Sequence, residues 1–242
     1  MKNFVSVGFL IVLVPFMVSA QMYVRGGIGY GLSLGSEQIG TSTNSAVVVR
    51  QYEGVYGSFG KGFNFVAAFG ATVNSNLKAE LGLSYITGGS FEENDVNSSG
   101  SLTTTYSGSM LSFSPGVVVS TTFSKVEPYA RINAIIAFPS LVIEETGYDN
   151  DKFELTGNIA FGFGSAFGVL LPLQDRIMVY GELVFSNISW GPAEEKYTNM
   201  PSGDIETYKF EESWNENEQN TTTTPRYPFG SIGLNIGVLI NL

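Results

Sequence analysis

From residue 22 onward the chain passes through eight segments in which alternate residues are apolar and the residues between them are small or polar. A period of two sends successive side chains to opposite faces of an extended strand, so each segment predicts a strand with one apolar face. In 22–34 the apolar set is Met22, Val24, Ile28, Tyr30, Leu32 and Leu34, set against Tyr23, Arg25, Gly27, Gly29, Gly31 and Ser33. The division recurs in 62–73 (Phe63, Phe65, Phe69), 77–87 (Leu81, Leu83, Tyr85) and 111–120 (Leu111, Phe113, Val117). It continues in 129–138 (Ile132, Ile136, Phe138), 159–169 (Phe161, Phe163, Phe167), 177–186 (Val179, Leu183, Phe185) and 231–242 (Leu234, Ile236, Val238).

The connections also alternate. Asn74-Ser75-Asn76, Phe123 to Val126 and Leu173 to Asp175 predict tight turns, whereas 35–60, 89–106, 142–153 and 191–227 predict long polar loops. An even number of strands, with short turns at one end and long loops at the other, is the pattern of an outer-membrane barrel. The alternative is a soluble sandwich or lipocalin-like barrel, in which the apolar parity packs a core and the polar parity meets water. The second parity is mostly Gly, Ser, Ala and Asn, which suits a narrow lumen better than a solvated face. Charged residues make up only 14% of the chain, well short of what a soluble surface carries. The expected fold is therefore all-β: an eight-stranded antiparallel transmembrane β-barrel with short periplasmic turns, long extracellular loops and both termini periplasmic. It must close, because an open edge in lipid leaves backbone groups unpaired.

Residues 1–20, MKNFVSVGFLIVLVPFMVSA, predict a secretory signal peptide: Lys2, an apolar run from Phe4 to Val18, and small residues Val18-Ser19-Ala20 before the cut. Pro15 and the short run argue against a membrane anchor. Position 21 is Gln, so no lipid attachment is expected there. Residues 21–242 form the barrel domain. No later segment is apolar for the ~20 residues a spanning helix needs.

Five charges fall on the lumen parity, Arg25, Lys78, Glu80, Arg131 and Glu182, and Tyr23, Tyr129 and Tyr180 share that face. Charges in a narrow barrel must pair, because desolvation is costly. Arg131 with Glu182 and Arg25 with Glu80 are the natural partners. The expected result is a network that plugs the lumen; the alternative is a selective pore or proton path.

The chain has no Cys and no His, which removes thiolate chemistry, the commonest general base and the commonest metal ligand. The acids of 191–227 (Glu194, Glu195, Asp204, Glu206, Glu211, Glu212, Glu216, Glu218) and of 142–153 (Glu144, Glu145, Asp149, Asp151) match no EF-hand spacing, so no metal site and no cofactor are expected. Gly26-Gly27-Ile28-Gly29-Tyr30-Gly31 lacks the helix that a dinucleotide loop needs, and reads as lumen lining. A net charge of −10 discounts nucleic acid as a partner. Tyr85 and Trp190 near the strand ends predict an aromatic girdle.

Gly162-Phe163-Gly164-Ser165-Ala166-Phe167-Gly168, Pro172-Leu173-Gln174-Asp175-Arg176, Val179-Tyr180-Gly181-Glu182-Leu183 and Pro228-Phe229-Gly230-Ser231-Ile232-Gly233-Leu234-Asn235-Ile236-Gly237 resemble the small outer-membrane β-barrel proteins common in Bacteroidetes. The resemblance covers about a third of the mature chain closely and the rest by architecture. It implies a small closed barrel inserted by the barrel-assembly machinery through the C-terminal strand, in contact with outer-membrane lipid and lipopolysaccharide. It implies no activity. Such barrels usually end in an aromatic residue; here Leu242 follows Ile240 and Val238, so the alternation is kept and the aromatic is absent. Known outer-membrane barrel enzymes rely on a His, so an enzyme is not expected; a carboxylate-only hydrolase is the kind the composition leaves open, though no isolated Asp/Glu pair stands out from the loop acids. The function expected is structural, or an interaction or ligand capture through the acidic loops with a plugged lumen; the ligand is not legible. The alternative is a narrow channel or porin-like conduit for small solutes.

Overall fold

The computed structural model describes residues 21–34, 38–44, 51–97, 100–147, 150–210 and 225–242. The expected signal peptide, and the acids Asp149, Glu211, Glu212, Glu216 and Glu218, lie outside them.

Fourteen strands form, without a helix among the described residues. Eight build a wall: β1 (Met22–Ser33), β4 (Gly62–Thr72), β5 (Leu77–Asn97), β6 (Gly100–Ser120), β7 (Glu127–Gly147), β9 (Ala160–Pro172), β10 (Ile177–Trp190) and β14 (Ser231–Asn241). Each pairs antiparallel with the next, and β14 returns to β1 from Tyr23↔Asn241 to Ser33↔Ser231, so the wall closes. Closure leaves no edge at the level of the barrel, which a lipid environment demands.

The outer face is the apolar parity. Ile132 is 72% exposed, Phe161 71% and Leu234 65%, and Phe63, Phe167, Leu81 and Ile236 stand out in the same way. A soluble monomer does not carry a continuous apolar girdle around its whole circumference. On a barrel in lipid this is the expected outer surface.

The turns have local causes. Asn74 folds its side chain back so that Oδ1 accepts from the backbone N–H of Asn76 and of Leu77, both at 2.9 Å. The β6–β7 turn is held by Phe123 and Val126, which exchange backbone bonds of 2.8 and 3.0 Å, with Ser124 at φ 60° taking the left-handed step of a tight hairpin.

The opposite end differs from the sequence expectation. Most of 89–106 and of 142–153 is strand: β5, β6 and β7 each run to 21 residues and rise past the apolar belt. Their upper parts are largely polar, although Thr104 and Leu141 are buried there, and Thr103-Thr104-Thr105 favours extended backbone. A β-bulge between Thr87 and Ser90 shifts the register where β5 leaves the belt. The remaining strands add to these extensions: β2 (Gln38–Asn44), β3 (Gln51–Tyr56), β8 (Asp151–Thr156), β11 (Glu194–Asn199), β12 (Ile205–Lys209) and β13 (Tyr227–Pro228). β8, β11 and β12 extend the sheet sideways from β7, and β2 with β3 extends it from β5.

Candidate functional site

The lumen is filled in layers. At the turn end Val118, Leu170 and Leu239 pack with Tyr23, Tyr129 and Tyr180. Each tyrosine stands directly opposite a glycine on the neighbouring strand: Tyr23↔Gly70, Tyr129↔Gly168 and Tyr180↔Gly237. The ring occupies the space a side chain would need. A Cβ on Gly70 would lie 2.1 Å from Tyr23 Cζ, and one on Gly168 would lie 2.6 Å from Tyr129 Cζ. Gly168→Val is therefore expected to displace Tyr129 and destabilise the barrel by about 1–3 kcal/mol. Equal denaturant midpoints for variant and parent would contradict that packing.

The next layer holds the charges. Arg25 donates through Nη2 to Glu80 and through Nη1 to Glu182, both at 3.0 Å. Arg131 donates through Nη1 to Glu80 at 2.9 Å and through Nη2 to Glu182 at 3.1 Å. Each guanidinium fork spans the same two carboxylates, so cation and anion alternate around a closed square of zero net charge. A lysine has no fork and could not bridge the pair in this way. Tyr23 donates to Glu80 at 3.0 Å, Tyr129 to Glu182 at 2.8 Å, and Asn235 Nδ2 to Glu182 at 3.0 Å. Arg25 also stacks over the Tyr180 ring, 5.1 Å from its centroid. Lys78 is not part of the square; it pairs with Glu127, nearer the turns, and lies over the Tyr23 ring. No sequence pattern marks Glu127, which opens β7 just after the turn and reads there as a solvated acid.

Above the square is a cavity of about 90 Å³, lined by Asn64, Asn133, Asn235, Ser84, Ser112 and Ser231 among others. Nε of Arg25, Nε of Arg131 and Oδ1 of Asn64 are buried without a protein partner. A polar space of this size accommodates a few waters, which would satisfy such groups.

An apolar layer closes the barrel above the cavity. Ile86, Met110, Ile135, Ala137 and Ile188 point inward and pack under Phe59, Phe229 and Trp190. Phe59 sits at the centre, with ring centroids of Phe91, Tyr227 and Phe229 at 5.8, 6.0 and 5.6 Å. Trp190 thus does not join a girdle. It lies on the inward parity of β10, is 1% exposed, and donates Nε1–H to the Gly157 carbonyl at 2.9 Å. Tyr85 does face outward.

The described part of the loop end beyond this layer is acidic and paired into strands. Leu141 and Leu155 are fully buried where β7 meets β8. Lys196 and Lys152 both reach Glu154, and their hydrogen bonds hold its carboxyl below the usual range. That contribution is present above the unfolded carboxylate range and is lost as pH falls through the lowered value. Burial pushes the Glu195 carboxyl up. All five residues of β12 are exposed, including Ile205 and Tyr208. Among the described residues no group of three or more acidic side chains is placed to hold a metal ion.

No known family profile and no curated protein matches the chain. Among solved structures it is similar to a major outer membrane protein from Thermus thermophilus, at 15% identity over 93% of this chain and 100% of that one, with a TM-score of 0.56. Neisserial surface protein A (11% identity, 91% and 97% covered, TM-score 0.46) and the outer membrane protein OprG from Pseudomonas aeruginosa (10%, 92% and 96%, 0.47) align with lower scores. The Thermus likeness bears on fold alone. It agrees with the closed, apolar-girdled wall, which makes this a β-barrel of the outer-membrane type.

Proposed function

We propose that the chain is an outer-membrane protein of a Gram-negative bacterium whose barrel is a sealed support and whose working surface is the acidic loop end. The observation that carries this reading is the pair of seals in series. The Arg25–Glu80–Arg131–Glu182 square blocks the lumen below the 90 Å³ cavity, and the Phe59–Trp190–Phe229 layer blocks it above. A conduit needs a continuous wet path, and two unrelated kinds of packing interrupt it here. Among the described residues, what remains for contact with other molecules is the sheet that β8, β11 and β12 carry beyond the belt, together with strands β2 and β3. In this reading the turns are periplasmic, the loop end is extracellular, and strand β14 is what the barrel-assembly machinery engages. Kinship with the Bacteroidetes-type barrels rests on the motif residues of 162–237. Lipopolysaccharide is the neighbour expected around the rim.

The absence of native cysteine gives a clean test of this placement. Thr207→Cys in exposed β12 is expected to react with a membrane-impermeant maleimide on intact cells, whereas Ser75→Cys in the β4–β5 turn is expected to react only after the outer membrane is permeabilised. Labelling in the reverse pattern would overturn the proposed orientation. Equal labelling of both on intact cells would overturn the membrane placement.

A further inference from the structure

Strands β9 and β10 part at the loop-end rim of the apolar belt. The β9–β10 ladder runs from Met178↔Pro172 to Ile188↔Gly162 and stops there. In the same register Ser189 would next face Phe161, and Trp190 would face Ala160, but these pairs are not made. Ser189 and Trp190 pair on their other side, with Pro228 and Tyr227 of β13. The parted strands leave a notch of about 310 Å³, lined by Asn158, Phe161, Ser189, Gly191 and Arg226 and backed by Trp190. Asn158, in the left-handed region at φ 52°, donates Nδ2–H to the Gly191 carbonyl at 3.1 Å and so ties the two banks together.

Three properties of the notch point to one kind of occupant. The β9–β10 ladder is broken at Ser189 and Phe161 in a wall that otherwise faces lipid, and a broken ladder in such a wall favours a polar occupant. Arg226 supplies an exposed guanidinium with no ion-pair partner among the described residues, at an end of the barrel where acids predominate. A guanidinium binds phosphate oxygens through two parallel N–H bonds. Ile159 and Phe161, 51% and 71% exposed, extend from the notch down the lipid-facing wall. An anionic head above and an apolar bank below describe an amphiphile more closely than a free ion.

We propose that this notch binds the phosphate headgroup of a membrane lipid in the leaflet at the loop end. Arg226 holds the phosphate at the break in the ladder, and an acyl chain lies along Ile159 and Phe161. The proposal rests on the membrane placement above, which the cysteine labelling tests separately.

The test is native mass spectrometry of the refolded mature barrel in maltoside detergent. The probes are phosphatidic acid, diacylglycerol of the same chain length, and inorganic phosphate. One retained phosphatidic acid per barrel is expected, with little diacylglycerol. Arg226→Gln is expected to lower that retention about tenfold, as the loss of one charge-assisted pair does. Phe161→Ser, which keeps the cation and removes the apolar bank, is expected to lower it as well. Arg176→Gln, at the turn end, is expected to leave it unchanged. Heat-modifiable migration confirms that each variant is folded. Retention unchanged in both Arg226→Gln and Phe161→Ser would overturn the site. An equal loss in Arg176→Gln would reduce it to general rim charge and also overturn it. Displacement of the lipid by millimolar inorganic phosphate would reassign the notch to the free ion and overturn the lipid assignment.

Discussion

Replacing Glu182 by alanine is expected to cost the folded barrel about 3–5 kcal/mol, the cost of leaving a buried charge uncompensated. The carboxylate is 2% exposed and accepts from Arg25, Arg131, Tyr129 and Asn235. Its removal leaves two guanidinium groups facing a single carboxylate, Glu80, and a neutral water from the cavity above cannot replace the lost charge. The square as a whole adds little net stability, since desolvating four ions offsets most of their attraction. Asymmetry is what makes the single change costly. Removing Arg131 together with Glu182 restores neutrality, so the double variant is expected to be less destabilised than the sum of the two single variants. Urea unfolding in lipid vesicles, followed by tryptophan fluorescence, checks both statements. An unchanged midpoint for Glu182→Ala, or strict additivity, would count against the closed square.

Placing arginine at Leu234 is the second large effect. Leu234 sits mid-strand in β14, between Tyr30 and Leu183, and is 65% exposed. If that exposure is to lipid, Leu234→Arg costs about 2–4 kcal/mol near the bilayer midplane. If it is to water, the same substitution is a surface change of roughly 0.5 kcal/mol or less. The two environments therefore differ in outcome by more than the error of a vesicle unfolding experiment. A stability unchanged in bilayers would mean that the girdle does not face lipid.

Much of this architecture is legible in the sequence because parity is rigid in a barrel. Once Arg25 is placed on the inner face of its strand, Tyr23 and Gly27 follow, and the outward run from Val24 to Leu32 is fixed at the same time. Glu80 and Glu182 reach the same lumen level as Arg25 and Arg131 through strand register, which is set by turn lengths and closure and cannot be read from one strand alone. That is why two natural pairs could be named from the sequence, whereas the square, in which each arginine bridges both glutamates, could not. The apolar upper seal was also within reach of parity. Ile86, Met110, Ile135, Ile188 and Trp190 all fall on inward positions, but an inward apolar residue in an apolar-faced strand looks like noise until several meet at one level. The long loops were hidden for a different reason. Above the belt no face is apolar along its whole length, so alternation fades while strand pairing continues, and Glu92-Glu93-Asn94-Asp95 reads as loop although it is paired with Leu102–Thr105. Phe59 and Phe229 flank strands rather than lie in them, so no periodicity marked them as the centre of the seal.

Single-channel recording from the purified, refolded mature barrel in a planar bilayer tests the sealed lumen most directly, with heat-modifiable migration as the control for folding. The two seals predict a folded barrel that stays electrically silent across the voltage range in which the bilayer is stable. Steady, discrete conductance steps from the folded protein would contradict the account, and would make Arg25, Arg131 and Glu182 the lining of a pore.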